Sequence, residues 1–275
     1  MIKNVVVNLW PGDGHDAAMD YAISLAGTFG AHLSGVAFAY EAVPVAMLVD
    51  DVPPAWVDQF LKDAEVAAHA AVDKFNAAAA AAKISADARW WNVGFAGTGE
   101  TFARIGRRFD LTVVRQAEPD KGTPAPLIVE AALFETGRPA LVVPYIQKGG
   151  MVLDRIMVCW DGTRTAARAV GDAMPFLTRA KSVEIVAVNE AGTSDEVPGA
   201  DLVHHLGHHG VTAEIKQIVA PDTDAANLLL SHAADSSTDF MVMGGYGHSR
   251  LREFILGGVT RTMLESMTIP VLMSH

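Results

Sequence analysis

Two consecutive three-layer α/β domains are predicted for this chain of 275 residues. The first reason is order. Short β-branched runs alternate with longer segments whose apolar residues recur at helical spacing, which calls for parallel strands joined by right-handed crossovers. The second is repetition. Asp110-Leu111-Thr112-Val113-Val114 is echoed by Asp239-Phe240-Met241-Val242-Met243, and Arg138-Pro139-Ala140-Leu141-Val142-Val143 by Ile269-Pro270-Val271-Leu272-Met273, so a proline opens the last strand of each half. The third is composition: half the residues are hydrophobic and 19% are charged, which suits two buried cores and excludes a disordered chain. The expected domains are residues 1–146 and 151–275, parted by the polar, glycine-bearing gap at Lys148-Gly149-Gly150.

Each element follows from its residues. Residues 2–9 hold Val5-Val6-Val7, stopped by Pro11-Gly12, and read as a buried strand. Over 16–29, Ala17, Tyr21, Ala22, Leu25 and Phe29 share a helical face, and Gly30 closes the helix. Residues 32–38, with Leu33, Val36 and Phe38, form a strand; the proline-bearing stretch 43–54 is a loop. A long helix over 56–82 places Val57, Phe60, Leu61, Ala64, Ala68, Ala71 and Phe75 on one face. Strand 87–93, helix 98–109, strand 111–115, helix 127–136 and strand 140–144 complete the half. The second half repeats the order: strand 155–160, helix 164–179, strand 182–188, helix 200–209, strand 212–219, helix 225–236, strand 239–243, helix 257–267, strand 271–273. The architecture is therefore a tandem pair of Rossmann-like domains, each a parallel five-stranded sheet flanked by helices.

Charge and cysteine usage narrow the function. Lys plus Arg is 21 and Asp plus Glu is 32, a formal net charge of −11, which argues against a nucleic-acid binder and its basic footprint. The single cysteine, Cys159, excludes an intrachain disulfide and points to a reducing compartment. No uncharged apolar run is long enough to span a bilayer, and the amino terminus lacks the apolar region of a signal peptide. A soluble, cytoplasmic protein with no membrane partner is expected.

Chemistry concentrates in the loop after strand 239–243: Gly244-Gly245-Tyr246-Gly247-His248-Ser249-Arg250-Leu251-Arg252-Glu253-Phe254-Ile255-Leu256-Gly257-Gly258-Val259-Thr260. Parallel sheets take ligands at the carboxyl ends of their strands. Gly244 and Gly247 let backbone N–H groups approach an anion without a Cβ in the way. Gly257 and Gly258 then sit at a helix N-terminus, where free amides and the helix dipole attract phosphate, with Thr260 adding a hydroxyl and Arg250 and Arg252 adding cations. The plainer reading of these glycines is a tight turn and a cap.

This spacing, Gly-x2-Gly-x9-Gly between a strand and a helix, resembles the nucleotide-binding signature of the universal stress protein family, and the chain resembles a tandem member of it. The resemblance implies that Asp161, in Cys159-Trp160-Asp161-Gly162-Thr163, approaches the ribose or base edge. It implies that the Val188 main chain reads adenine and that Gly244, Gly247, His248, Gly257, Gly258, Val259 and Thr260 hold ribose and phosphates. The ligand it implies is ATP or another adenine nucleotide, with Mg2+ as its companion ion, in stress response or regulation. One departure matters: the family's final Ser/Thr is Gly258 here, so a backbone donor remains where a hydroxyl is lost. Asp161 also fits a simpler part, as helix N-cap in Asp-Gly-Thr. The family further implies pairing of last strands, here 141–143 and 271–273, as an intrachain pseudo-dimer, or pairing of whole chains as a homodimer. A slow ATP hydrolase and a scaffold that binds no nucleotide are the alternatives. No nucleophile–base constellation points to a dedicated enzyme.

Weaker signals remain. The first half lacks the signature; Gln116-Ala117-Glu118-Pro119-Asp120-Lys121-Gly122-Thr123-Pro124-Ala125-Pro126 follows its fourth strand, with prolines that remove donors and carboxylates that repel phosphate. A degenerate nucleotide site is expected there. Gly12-Asp13-Gly14-His15-Asp16-Ala17, with Glu41 ending the next strand, has the form of a dinucleotide fingerprint, but Asp13 and Asp16 oppose a pyrophosphate. His204/His208 and His205/His209 have i, i+4 spacing, yet with no completing shell they read as a solvated helix end and no metal site is assigned. Cys159, the methionines and Trp90-Trp91 read as packing.

Overall fold

The computed structural model describes residues 1–12, 14–41, 54–118, 121–189, 199–219, 225–245 and 258–275. The chain divides into two compact units, Ile2–Met151 and Val152–His275.

In the first unit the elements run β1 (Asn4–Asn8), α1 (Ala17–Phe29), β2 (His32–Glu41), α2 (Pro54–Ala81), β3 (Ala86–Gly94), a 3-10 turn (Phe95–Gly97), α3 (Thr98–Gly106), β4 (Leu111–Arg115), α4 (Ala125–Phe134) and β5 (Ala140–Val143). The strands lie in the order β3-β2-β1-β4-β5, all parallel. In the second unit they run β6 (Arg155–Cys159), α5 (Arg164–Leu177), β7 (Ser182–Asn189), α6 (Ala200–His208), β8 (Ala213–Val219), α7 (Ala225–Asp235), β9 (Phe240–Gly244), α8 (Gly258–Ser266) and β10 (Val271–Ser274). Here the order is β8-β7-β6-β9-β10, again parallel and the same topology repeated.

The central strands explain their own sequences. Val5, Val6 and Val7, and likewise Ile156, Met157 and Val158, are wholly buried, because helices cover both faces of a parallel sheet and leave no polar side to alternate with. The outer strand β3 alternates half-buried and exposed positions. Helix α1 starts and stops where its residues dictate: the Asp16 carboxylate accepts from Met19 N, and Gly30 ends the helix at φ 59°.

Three expectations are corrected. The first turns of α2 do not bury the whole predicted face: Phe60 is 54% exposed and Val57 36%, while Ala68, Ala71 and Phe75 are buried. Helix α3 stops at Gly106 rather than 109, where a Cβ would meet Thr136 Cγ2 at 2.9 Å and Thr112 Cγ2 at 3.0 Å. The N-cap of α5 is Thr163, not Asp161: Thr163 Oγ1 accepts from Ala166 N at 3.2 Å. The predicted loop 43–54 falls almost entirely outside the described residues.

In both units the strand order reverses beside the first strand, between β1 and β4 and between β6 and β9. A crevice at the carboxyl ends of those two strands is where such a sheet accepts ligands.

Candidate functional site

At the second unit's crevice β6 runs directly into Asp161. Its Oδ1 accepts from Thr163 N at 3.0 Å and from Thr163 Oγ1 at 2.7 Å, a tight Asx turn that Gly162 permits with φ +72°. The Thr163 hydroxyl, while donating to Asp161, accepts from Ala166 N and so caps α5. Asp161 is exposed, and Oδ2 makes no hydrogen bond among the described residues. One carboxylate oxygen therefore builds the turn while the other has no partner among the described residues.

Across the crevice, Gly244 ends β9. A Cβ there would stand 2.6 Å from Ala166 N and 2.8 Å from both the carbonyl carbon and Oγ1 of Thr165. This glycine is required by the close approach of strand end and helix start. Asp161, Thr163, Ala166 and Gly244 thus form one continuous contact chain around the N-terminus of α5. The neighbouring Gly245 amide donates to Ser274 O at 2.8 Å, so the next strand takes it. The loop's Gly247, His248, Ser249, Arg250, Arg252 and Gly257 lie outside the described residues. Gly258 is the first residue of α8, and among the described residues none lies within 4 Å of where its Cβ would be, its chain neighbours and own helix backbone aside. Val259 is 38% exposed and Thr260 is buried. Val188 lies near the carboxyl end of β7, half-buried and paired with Ile218, two residues beyond Val186, whose carbonyl accepts from Trp160 N at 2.9 Å.

Cys159, half-buried at the end of β6, is no nucleophile: burial, and then the Asp161 charge, push its thiol up to about 12.

The first unit places different residues at the equivalent positions. Arg115 is the fourth residue of the β4–β5 ladder, opposite Val143; Gly244 is the fourth of the β9–β10 ladder, opposite Ser274. Leu9 N donates to Val36 O as Trp160 N donates to Val186 O, which makes Trp10 the counterpart of Asp161. Arg115 stacks over the Trp10 ring, 4.5 Å from its centroid, and pairs with Glu118, which also holds Lys121 at 2.6 Å. Arg115 Nε and Nη1 are buried with no acceptor among the described residues. Behind them Asp16 is buried; burial pushes its carboxyl up against the opposing amides of Trp10 and Met19. Asp16 Oδ2 accepts from Trp10 N at 2.7 Å and Oδ1 from Met19 N at 3.1 Å. In the dinucleotide-like Gly12–Ala17 stretch, the helix N-terminus is therefore occupied by the chain's own carboxylate, and the Trp10 indole covers Gly12. The cleft beside it, walled by Trp10, Phe38, Tyr40, Pro124 and Ile128, encloses only about 20 Å³, far below the size of small-molecule sites.

Reading the motif alone missed Trp10 and Arg115. The signal was available: Arg115 stands five residues after Asp110, as Gly244 stands five after Asp239.

Comparisons with known proteins agree with the fold. Residues 153–275 match the model of the Universal stress protein family. Universal stress protein Slr1230 of Synechocystis sp. is 26% identical over 152 residues, covering 52% of this chain and 49% of that protein, so the match spans about half the length of this relative. Among solved structures, a universal stress protein from Archaeoglobus fulgidus superposes with a TM-score of 0.70 at 15% identity, over 98% of this chain and 97% of the other. A putative universal stress protein from Pseudomonas aeruginosa gives 0.61 at 14% identity, over 99% and 93%.

Proposed function

We propose that the second half of this chain, whose residues 153–275 match the universal stress protein family, binds ATP or another adenine nucleotide and acts as a regulator in the cytoplasm. Asp161 takes the ribose or base edge through Oδ2, the oxygen not engaged in the turn. The Val188 main chain meets adenine, and the loop from Gly244 to Thr260, with Gly247, His248 and Gly257, wraps the ribose and phosphates, Mg2+ accompanying them.

The observation that carries this reading is Gly258. Among the described residues nothing fills the space its side chain would take, so no described packing contact gives a reason for a glycine there. A bare amide at a helix N-terminus is what an approaching phosphate needs. Gly244 is different, since packing alone accounts for it.

Binding rather than turnover is the output. Asp161 Oδ1 is committed to the turn at Thr163, and the thiol of Cys159 stays protonated at neutral pH. The first half is a degenerate copy that takes no nucleotide.

The test is to denature freshly purified protein and identify the small molecule released, then to titrate ATP, ADP and AMP calorimetrically. Released adenine nucleotide and saturable binding support the reading. An empty extract with calorimetric silence for all three rejects it in favour of a scaffold.

A further inference from the structure

The end of α6 carries four exposed histidines, His204, His205, His208 and His209, remote in sequence from every residue assigned to the crevice. Helical spacing places His204 and His208 one turn apart on one face, and His205 and His209 on the next. The Nε2 atoms of His204 and His208 lie 3.1 Å apart, with ring centroids at 4.5 Å and planes at 77°. The rings of His205 and His209 are 4.9 Å apart.

We propose that His204 and His208 form a two-point site for a divalent transition-metal ion that favours imidazole, such as Zn2+, Ni2+ or Cu2+. Two nitrogens 3.1 Å apart, each bound at about 2.05 Å, subtend about 98° at the ion, between about 90° for square-planar or octahedral ions and about 109° for a tetrahedral one. The pair already stands at the span of a chelate, and its exposure lets an ion arrive without any backbone movement. Among the described residues no group of three or more His, Cys, Asp and Glu is gathered, so water fills the other positions. Affinity then follows the general order for such ligands, with Cu2+ the tightest.

The same separation suits a single N–H···N hydrogen bond between two neutral rings. The two differ in what they require: a metal needs both Nε2 lone pairs, while the hydrogen bond needs a proton between them.

The deciding experiment uses the full chain without a histidine tag, titrated calorimetrically with ZnCl2 and with CuSO4 near neutral pH. One saturable site per chain is expected. His204→Gln and His208→Gln each weaken it at least tenfold, and His205→Gln leaves it in place. Electron paramagnetic resonance of the Cu2+-loaded wild type should show two equivalent nitrogen ligands, a readout that stands even if a variant folds poorly. No saturable site in the wild type, or wild-type affinity retained in His204→Gln, overturns the proposal.

Discussion

The guanidinium of Arg115 stacks over the indole of Trp10, 4.5 Å from the ring centroid, and these two residues hold the register positions that Gly244 and Asp161 hold in the second half. The position that is bare in the second half, where strand end and helix start approach closely, carries an arginine in the first. A position that offers a carboxylate carries a flat apolar ring. The first crevice is filled from within, by a stacked pair tied to Glu118 and Lys121.

The proposed function then predicts one nucleotide per chain. Calorimetric stoichiometry with ATP is expected to be one, and Arg115→Ala to leave the affinity of that site unchanged. A stoichiometry of two would show that the filled crevice opens.

Gly244→Ala is expected to destabilise the second unit. The new methyl meets the backbone of Ala166 and Thr165 rather than a flexible side chain, and overpacking of this kind costs about 1–3 kcal/mol. Urea unfolding should show the midpoint falling with little change in slope.

Gly258→Ala should behave in the opposite way. The position is helical and open among the described residues, so stability is expected to hold or rise by about 0.5–1 kcal/mol from the gain in helix propensity. Gly258→Leu should weaken ATP binding at least tenfold while the unfolding curve stays close to wild type. Undiminished binding by the leucine variant would remove the phosphate role of this helix start.

Cys159 is expected to resist alkylation. With its thiol pushed up to about 12, the thiolate fraction at pH 8 is on the order of 10⁻⁴, far below that of an ordinary cysteine. Iodoacetamide labelling of the folded protein should be at least a hundredfold slower than of the urea-unfolded chain.

Acid should act partly through Asp110. Burial pushes its carboxyl up, but the amides of Lys3 and Asn4, the Arg138 charge and the amino terminus outweigh it and hold it below the usual range. A depressed folded-state value contributes stability that is full above the unfolded value of about 4 and disappears as pH falls through the folded one. Asp110→Asn should therefore lower stability at pH 7, and its difference from wild type should shrink on acidification below about pH 4.

The chain's periodicity made the order of strands and helices readable, because buried central strands such as Val5-Val6-Val7 are continuous apolar runs and amphipathic helices mark their faces every three to four residues. The caps were nearly as plain. Asp16 and Gly30 bound α1 as their chemistry requires, whereas for α5 the cap passed two residues along, from Asp161 to Thr163, since either side chain could have bonded the first turn. The upper part of α2 misled for a related reason. Spacing reports that Val57 and Phe60 share a face, but not whether anything packs against it.

Fold, repetition and the glycine pattern of the second half are local properties, written in spacing that neighbouring residues share, and so they could be read along the chain. What each glycine is for could not. Gly244 and Gly258 look alike in sequence, yet one is pressed against the backbone of Ala166 and the other meets none of the described residues. Trp10 and Arg115, far apart along the chain, meet only when β1 and β4 come into register. Close approach depends on distances between strands and helices that are remote in sequence, and those distances exist only once the sheet has formed.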